Sequence, residues 1–330
     1  MTDRRNFLRA MAGAVAATSL DAFAQPAVGV YRVGVLRPTS KPVRGDQVAT
    51  EFLLPTALAR LGYVEGRNLT VESRYAAGDV QRLPGLAREL VNMRVDVIVA
   101  VGSAAVRSAM DATTTIPIVI WGNFDPVASG FAASLARPGR NVTGVLIAPE
   151  GTLGAKKLEL LKEAMPRARR ITVLAPEDPS SKVQTLELQQ AAALLGVELM
   201  IVTVRANDYA DAFVRIAETR PDALFVLAAT YFVADRKPII DLATKYRLPT
   251  IWEWREQVVD GGLMAYGTSL EARIQRVAEY IDRIFKGANA GELPVDQPTQ
   301  FKLVINLKTA KALGLMLPQS LLLRADEVIQ

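Results

Sequence analysis

Cysteine and histidine are both absent from this 330-residue chain. Without cysteine there can be no disulfide, no thiolate nucleophile and no cysteine metal site. Without histidine the chain lacks the commonest general base, the usual zinc ligand and every Ser-His-Asp triad. An enzyme built from this sequence would have to use carboxylates, lysine, tyrosine or a cofactor.

Several catalytic and nucleotide motifs are also missing. The turn after the first predicted strand, residues 36–40, reads LRPTS rather than the glycine-rich G-x-G-x-x-G of a dinucleotide site. The chain contains no P-loop, no G-x-S-x-G and no clustered metal ligands. We therefore expect a protein that binds a small molecule without transforming it, with no catalytic residue, no metal and no cofactor.

Charge and hydropathy further restrict the class of protein that this sequence can encode. The formal net charge is only +5, and the lysines and arginines are scattered, which argues against nucleic acid as a partner. Half of the residues are hydrophobic, which is typical of a globular chain. Beyond the N-terminus no stretch reaches 18 consecutive apolar residues, so we expect a soluble mature protein. Its length suits two domains.

The N-terminus has the organisation of an export signal. Arg4 and Arg5 precede an apolar run at 10–20, and residues 22–24 (AFA) form a small-x-small cleavage site. The paired arginines resemble a twin-arginine signal, which directs export of folded proteins. The alternative is an ordinary amphipathic N-terminus. We expect cleavage near Ala24 and a periplasmic mature protein.

Strand-like apolar runs alternate with helical patterns along the rest of the chain. In the first half, near-continuous Val/Ile runs predict strands covered on both faces. They lie at 31–36, 69–75, 96–101 and 116–121, with helices at about 56–62, 79–92 and 103–111. Pro55 should start or kink the first helix. Asp125 followed by Pro126 predicts a further helix start. Alternating strands and helices imply parallel sheets.

The second half repeats the pattern of the first. Residues 32–38 (RVGVLRP) match 170–176 (RITVLAP), and 96–103 (DVIVAVGS) match 222–229 (DALFVLAA). A third pair, IPIVIW and LPTIW, follows in the same order at a similar spacing. Chance similarity between Val/Ile-rich strands is the alternative. The repeat predicts two lobes of one βα fold.

Ligands of open parallel sheets bind beyond the carboxyl ends of the strands, so the residues that follow each strand are the candidates for a site. All three tryptophans of the chain fall in such positions, which suits a small-molecule cleft. Ser103 opens a helix whose N–H groups could hold a carboxylate, or it is a plain N-cap. Asp125 could bind an ammonium group or merely cap its helix.

Five longer stretches resemble the solute-binding proteins of ABC importers, in the group that includes tryptophan- and tyrosine-binding members. The stretches are 61–68 (LGYVEGRN), 134–144 (SLARPGRNVTG), 261–267 (GGLMAYG), 301–314 (FKLVINLKTAKALG) and 321–329 (LLLRADEVI). The resemblance runs along nearly all of the mature chain. One departure is residues 252–254 (WEW), where small residues would be expected at a ligand-facing turn.

The resemblance implies an α/β protein of the type I periplasmic-binding-protein fold. Two Rossmann-like lobes with parallel sheets would be joined by a three-crossover hinge, and the ligand cleft would lie between them. With residues 1–24 as the signal, lobe 1 would comprise 25–143 and 267–298, and lobe 2 would comprise 144–266 and 299–330. Gly144 and Gly267 would sit at crossovers, where a hinge could absorb the closing motion.

The resemblance also implies the site and the partners. The ligand-facing positions would be Thr39, Ser103, Ala104, Asn123, Asp125, Ser180, Ser181, Thr230, Tyr231, Glu253 and Tyr266. An amino-acid-like or aromatic carboxylate would be captured by a monomer and delivered to a membrane permease, with ATP hydrolysed by a separate subunit. A sensor module for a membrane receptor and an exported enzyme are the alternatives. A repressor would need an N-terminal helix-turn-helix, and the signal occupies that place.

Overall fold

The computed structural model describes residues 29–41, 50–148, 153–177, 180–205 and 208–330. The predicted export signal lies outside these residues. Tyr31–Gln330 form one compact unit that contains every helix and strand described below. Among the described helices, none combines the length and apolar character that crossing a membrane requires.

The strands and helices alternate along most of the chain. The strands are β1 Tyr31–Arg37, β2 Leu69–Tyr75, β3 Val97–Val101, β4 Ile118–Gly122, β5 Val142–Leu146, β6 Arg170–Pro176, β7 Glu198–Val204, β8 Ala223–Val226, β9 Thr250–Trp252, β10 Met264–Gly267, β11 Lys302–Asn306 and β12 Glu327–Ile329. The helices are α1 Thr50–Arg60, α2 Leu83–Asn92, α3 Ser103–Ala112, α4 Leu153–Ala164, α5 Ser180–Leu195, α6 Tyr209–Glu218, α7 Thr230–Ala234, α8 Arg236–Lys245, α9 Arg255–Val259, α10 Leu270–Phe285, α11 Leu307–Leu313 and α12 Gln319–Arg324. Short 3-10 turns cover Val80–Arg82 and Ala290–Glu292.

The first lobe is built on a parallel five-stranded sheet in the order β2-β1-β3-β4-β5. Successive side chains of a strand point to opposite faces. In β3, Val97 and Val99 therefore join the core cluster on the α1 and α10 side, while Ile98 and Ala100 join the cluster on the α2 and α3 side. Both faces are covered, which explains why these strands are hydrophobic at nearly every position.

The second lobe carries a seven-stranded sheet in the order β12-β11-β10-β9-β8-β6-β7. Its pairs are parallel except for β10 and β11, which run antiparallel with Tyr266 opposite Leu303. The side chains again divide between two cores: Val173 and Phe225 pack on one face, and Leu174 and Leu224 pack on the other. The structure thus has the predicted α/β class with two lobes.

The internal repeat is visible in the order of the strands. In the first sheet the chain places its second, first, third, fourth and fifth strands side by side, and β7-β6-β8-β9-β10 repeat that order in the second. The three matched sequence pairs correspond to β1 with β6, β3 with β8, and β4 with β9. The repeat in the sequence is therefore a repeat of structure.

Hydrogen bonds tie together the segments that pass between the lobes. The Asp296 N–H donates to Gly144 O over 2.8 Å, and the Arg273 guanidinium of α10 donates to Leu146 O while pairing with Asp296. Thr268, just after β10, donates to Ile147 O over 3.4 Å. The strand β5 pairs with β4 in the first sheet as far as Leu146. The lobe boundaries inferred from the sequence stay predictions.

One local prediction was wrong. No helix starts at Asp125 and Pro126; a run of turns occupies this part of the chain instead, and in it Asp125 Oδ1 accepts the Val127 N–H over 2.7 Å. Pro55 lies inside α1, so of its two predicted roles the helix start is excluded and the kink stays a prediction. The helix α10 begins after Ser269, whose side chain accepts the Ala272 N–H as the N-cap.

Candidate functional site

A cavity of about 520 Å³ lies where the carboxyl ends of the strands of both sheets face each other. Its volume falls within the range of roughly 300 to 1,000 Å³ that is usual for small-molecule sites. The first lobe supplies residues that follow β3, β4 and β5, and the second lobe supplies residues from α4, α5, β8 and the turn after β9. The lining residues are Ser103, Ala104, Arg107, Asn123, Phe124, Asp125, Ala128, Ser129, Phe131, Ala148, Leu153, Gly154, Lys157, Val183, Gln184, Glu187, Phe225, Leu227 and Glu253.

The start of α3 forms part of the first-lobe wall. Gly102 has φ +81°, a left-handed conformation that favours glycine, and it turns the chain from β3 into the helix. Gly102 is the N-cap, so Ser103 is the first helical residue and no side chain caps this end. The first N–H groups of a helix have no intrahelical partner, and together with the helix dipole they favour an anion.

The turn after β4 forms the next part of this wall and brings Asn123, Phe124 and Asp125 to the cavity. A side chain at Gly122 would lie 2.6 Å from the Phe124 ring, so glycine is needed there for the ring to fold back. Asp125 is half-buried, and one of its oxygens is used by the Val127 N–H. Its carboxylate brings negative charge to the cavity.

A buried ion pair forms part of the second-lobe wall. Lys157 Nζ of α4 lies 2.7 Å from Glu253 Oε2, with 3% and 2% of the two side chains exposed. The ammonium also lies 5.1 Å from the centre of the Phe225 ring. Burial raises the pKa of the Glu253 carboxyl, although the charge and hydrogen bond of Lys157 oppose the shift. Glu253 Oε1 is buried and accepts no hydrogen bond in the described part of the chain.

Further charged and aromatic groups complete the lining. Arg107 donates to Ser129 O over 2.7 Å, and its guanidinium lies 4.6 Å from the centre of the Phe131 ring. Burial raises the pKa of Glu187, a residue of α5. The lining thus contains three acidic and two basic residues together with three phenylalanines. This combination suits a ligand with an apolar body and polar or charged ends.

A smaller cavity of about 90 Å³ adjoins the first and shares Ser103, Ala104, Asn123 and Phe124 with it. Its other walls include Gly102 and Gly122 of the first lobe and Ala228 and Ala229 of the second. Both lobes therefore contribute small residues to the walls of this second cavity.

Five of the eleven residues predicted for the site line the main cavity: Ser103, Ala104, Asn123, Asp125 and Glu253. Three others do not line either cavity: Thr39 and Ser181 are buried elsewhere, and the Tyr266 ring packs 6.0 Å from the Phe301 ring. The side chains of Ser180, Thr230 and Tyr231 lie outside the described part of the chain.

The tryptophans do not form the walls of the cavity, contrary to what their positions after strands suggested. Trp121 and Trp254 belong to the core cluster on the α1 and α10 side of the first lobe, and Trp252 is buried in the second lobe. The Trp252 Nε1–H donates to Thr250 Oγ1 over 2.7 Å. The aromatic lining comes from Phe124, Phe131 and Phe225 instead.

The sequence reasoning missed Lys157, Arg107, Glu187 and Phe225. Lys157 and Glu187 lie on helices that follow strands, where charged residues usually form a solvated face. Phe225 lies inside the strand β8 and reads as a core residue. Arg107 comes one turn after Ser103, so extending the candidate site along the first turn of α3 would have found it.

Comparison with known proteins identifies several that are similar to this chain in sequence or structure. A tyrosine-binding protein of Clostridioides difficile (strain R20291) is 26% identical over 260 residues, which cover 78% of this chain and 74% of that protein. A conserved domain protein from Vibrio cholerae has a structure with a TM-score of 0.80 and 27% identity, covering 91% of this chain and 99% of that one. An ABC domain from Streptococcus pneumonia in complex with L-Trp has a TM-score of 0.79 and 24% identity, with coverage of 91% and 99%.

A family model described as ABC transporter substrate binding protein matches residues 33–329. The match includes both sheets, apart from the first two residues of β1, and every residue that lines the cavity between them. The protein therefore belongs to the ABC transporter substrate binding protein family.

Proposed function

We propose that the protein captures an amino-acid-like aromatic molecule outside the cytoplasm and delivers it to an ABC permease, with ATP hydrolysed by a separate subunit. The observation that carries this proposal is the cavity between the strand ends of the two lobes, with its three phenylalanines and its charges of both signs. The protein binds the ligand without transforming it.

Capture would proceed by closure of the lobes around the ligand. A ligand that contacts both lobes favours the closed state, and it can shift the equilibrium only by the difference in its affinity for the two states. The crossing segments around Leu146, Thr268 and Asp296 would bend during closure. They are hydrogen-bonded to one another or to Arg273, so we expect them to move as a connected hinge.

The parts of an amino acid can be assigned to the lining. The N–H groups at Ser103 and Ala104 would hold the carboxylate. Asp125 would hold the ammonium group, because Glu253, the other candidate, is already paired with Lys157. Phe131 and Phe225 would contact the aromatic side chain. Thr39, Ser180, Ser181, Thr230, Tyr231 and Tyr266 remain candidates for contacts made when the lobes move.

The relatives support an aromatic ligand. The Clostridioides relative is named for the binding of tyrosine. The Streptococcus neighbour, which has a similar fold, was solved in complex with L-Trp. The cavity of about 520 Å³ has room for either molecule.

The binding proposal is tested by isothermal titration calorimetry and thermal shift of the purified protein with the twenty amino acids, aromatic acids, nucleobases and sugars. A ligand present at 100 times its dissociation constant adds about 2.7 kcal/mol of stability. We expect aromatic amino acids to raise the melting temperature and to be recovered unchanged. A response to sugars or nucleobases alone would overturn the ligand class.

Export is a separate part of the proposal and has its own test. We propose a monomer in the periplasm, released by cleavage near Ala24. Residues 1–24 fused to a reporter that folds in the cytoplasm should carry it across the membrane, and Arg4→Lys with Arg5→Lys should block this export. Export unaffected by the double change would favour the general route over the twin-arginine route.

A further inference from the structure

The Lys157–Glu253 pair has hydrogen-bonding capacity that the protein leaves unused. Lys157 has three N–H donors and makes one hydrogen bond in the described part of the chain, to Glu253 Oε2. Glu253 Oε1 accepts none there, although it is buried. A buried polar atom without a partner is costly, and such atoms in native proteins call for an explanation. Oε1 has almost no accessible surface and lies beside Gly267 at the end of β10. Both side chains line the main cavity, so the pair meets a ligand through the spare N–H donors of Lys157 and the remaining lone pair of Glu253 Oε2.

The pair differs from the other charged groups of the cavity because its two charges neutralise each other. An ammonium group and a carboxylate 2.7 Å apart offer little net charge to a ligand but retain donors on one side and an acceptor on the other. A neutral group that both donates and accepts is the best match. The first lobe offers the complementary features, since the start of α3 suits a carboxylate and Asp125 suits an ammonium group.

Phe225 indicates what kind of ligand body reaches the pair. Its ring lines the cavity and lies 5.1 Å from Lys157 Nζ, so the polar pair sits directly beside an aromatic wall. An aromatic ring of the ligand can pack on Phe225 while a substituent at its far end reaches the pair. A phenolic hydroxyl meets both requirements, because it can donate to Glu253 and accept from Lys157.

We infer that the Lys157–Glu253 pair determines specificity by reading the hydroxyl of a para-hydroxyphenyl ligand such as tyrosine. The inference rests on the proposed function and adds the side chain that the site selects. A site built to hydrogen-bond a hydroxyl rejects the analogue that lacks it, because the buried groups are then left unpaired. The pair should therefore favour tyrosine over phenylalanine.

The experiment compares the dissociation constants of L-tyrosine, L-phenylalanine, 4-fluoro-L-phenylalanine and L-tryptophan for the full chain by isothermal titration calorimetry. Because hydrogen bonds to charged groups are stronger than those between neutral groups, we expect tyrosine to bind at least about 10-fold more tightly than phenylalanine. The fluorinated analogue has a similar shape without the hydroxyl donor and should behave like phenylalanine.

The decisive variant is Lys157→Met combined with Glu253→Leu. Replacing a buried ion pair by apolar side chains of similar volume is often neutral or stabilising, so this variant should remain folded. We expect it to bind phenylalanine at least as well as the wild type and to lose the preference for tyrosine. Lys156→Met is the matched control, because the neighbouring Lys156 is exposed and pairs with Glu159; it should keep the preference.

Each of the other outcomes would contradict either the specificity role of the Lys157–Glu253 pair or the proposed ligand class. If the wild type binds aromatic amino acids and the double variant keeps the same ratio of tyrosine to phenylalanine affinity, the specificity role is wrong and the proposed function stands. An equal loss of affinity for tyrosine and phenylalanine in the folded variant would mean that the pair holds the amino-acid head group of the ligand. That result would also overturn the inference. If the wild type binds no aromatic amino acid, the ligand class fails and this inference fails with it.

Discussion

The carboxylate of Asp222 accepts the backbone N–H of Arg170 over 2.9 Å, just as Asp96 accepts the N–H of Arg32 over 2.7 Å in the other lobe. In each lobe the aspartate precedes the third strand and holds the start of the first, so the repeat extends to a specific hydrogen bond. Asp222 also accepts the N–H of Arg169. These bonds align neighbouring strands at their amino ends, and the cavity lies at the opposite, carboxyl ends.

We expect Asp222→Ala to lower the free energy of unfolding by about 1 kcal/mol, the usual contribution of such hydrogen bonds. Burial alone would raise the pKa of Asp222, but the N–H groups of Arg170 and Arg169 and nearby positive charges outweigh it, so the pKa is lowered. The contribution should therefore be present above the ordinary aspartate pKa and be lost as the pH falls through the lowered value.

Urea unfolding of the wild type and of Asp222→Ala at pH 7 and at pH 3 checks this prediction. The difference between the two proteins should shrink at pH 3. Asp241→Ala, at an exposed position of α8, is the control and should change little at either pH. An equal loss of stability at both pH values would contradict a role for the ionised carboxylate.

The strands could be predicted because parallel strands buried on both faces leave a continuous apolar signature. All four strands expected in the first lobe are present, with bounds that differ by at most a few residues. Asp125 and Pro126 misled the prediction, because an aspartate and a proline open a turn as readily as a helix. The residues downstream of such a pair decide between the two, and here the chain continues through turns rather than an amphipathic pattern.

The site was harder to predict than the fold because the burial of a side chain depends on tertiary packing that a single segment of sequence does not show. Lys156 and Lys157 are adjacent and look equivalent in the sequence, yet one is exposed and the other is almost fully buried against Glu253. The tryptophans gave a false indication for the same reason. Trp121 and Trp252 lie inside β4 and β9 rather than after them, and all three tryptophans are buried in the cores rather than lining the cavity.

The single change Lys157→Met should be strongly destabilising, unlike the double change to apolar side chains. Removing one partner leaves the other as an uncompensated buried charge, which costs about 3 to 5 kcal/mol. Burial already raises the pKa of Glu253, and Lys157 opposes that shift. Without Lys157 the pKa should rise further, so the buried carboxyl should take up a proton at a higher pH than in the wild type, and protonation removes the cost of its charge.

Chemical denaturation of Lys157→Met at pH 5 and pH 8 tests this prediction. A carboxyl whose pKa is raised on folding destabilises the folded state increasingly as the pH rises. The variant should therefore lie closer to the wild type at pH 5 than at pH 8. Lys156→Met should lower the free energy of unfolding by less than about 0.5 kcal/mol at both pH values. A deficit that does not change with pH would argue that Glu253 stays charged or finds another partner.

Gly267 is needed for close packing at the end of β10. A methyl group at this position would lie 2.1 Å from the backbone oxygen of Glu253, closer than any side chain can tolerate without backbone movement. We expect Gly267→Ala to cost at least about 1 to 3 kcal/mol, as overpacking does, and to displace the turn that carries Glu253. Both stability and ligand affinity should fall.

Gly85→Ala is the matched control for this change. Gly85 lies in α2 with open space around its α-carbon, and its backbone is compatible with a side chain. Alanine there should stabilise the protein by about 0.5 to 1 kcal/mol, because glycine is a poor helix former. Thermal unfolding of the two variants should give changes in melting temperature of opposite sign. An unchanged melting temperature in Gly267→Ala would show that the turn after β9 can move to accommodate a methyl group.

Ser103→Trp should abolish ligand binding while leaving the fold intact. Ser103 is half-buried at the cavity and does not cap α3, since Gly102 is the N-cap, so its hydroxyl is not needed to start the helix. An indole at this position would fill space between the lobes and cover the N–H groups that we assign to the ligand carboxylate. We expect an affinity loss of at least about 100-fold, equivalent to more than about 2.7 kcal/mol.

Calorimetric titration with L-tyrosine and L-tryptophan, together with circular dichroism, measures both parts of this prediction. Ala193→Trp adds the same side chain at an exposed position of α5 and should bind like the wild type. If Ser103→Trp is folded and binds normally, the ligand does not occupy the main cavity at the start of α3. Because Ser103 lines both cavities, normal binding would also exclude the smaller one and move the search away from the strand ends of the first lobe.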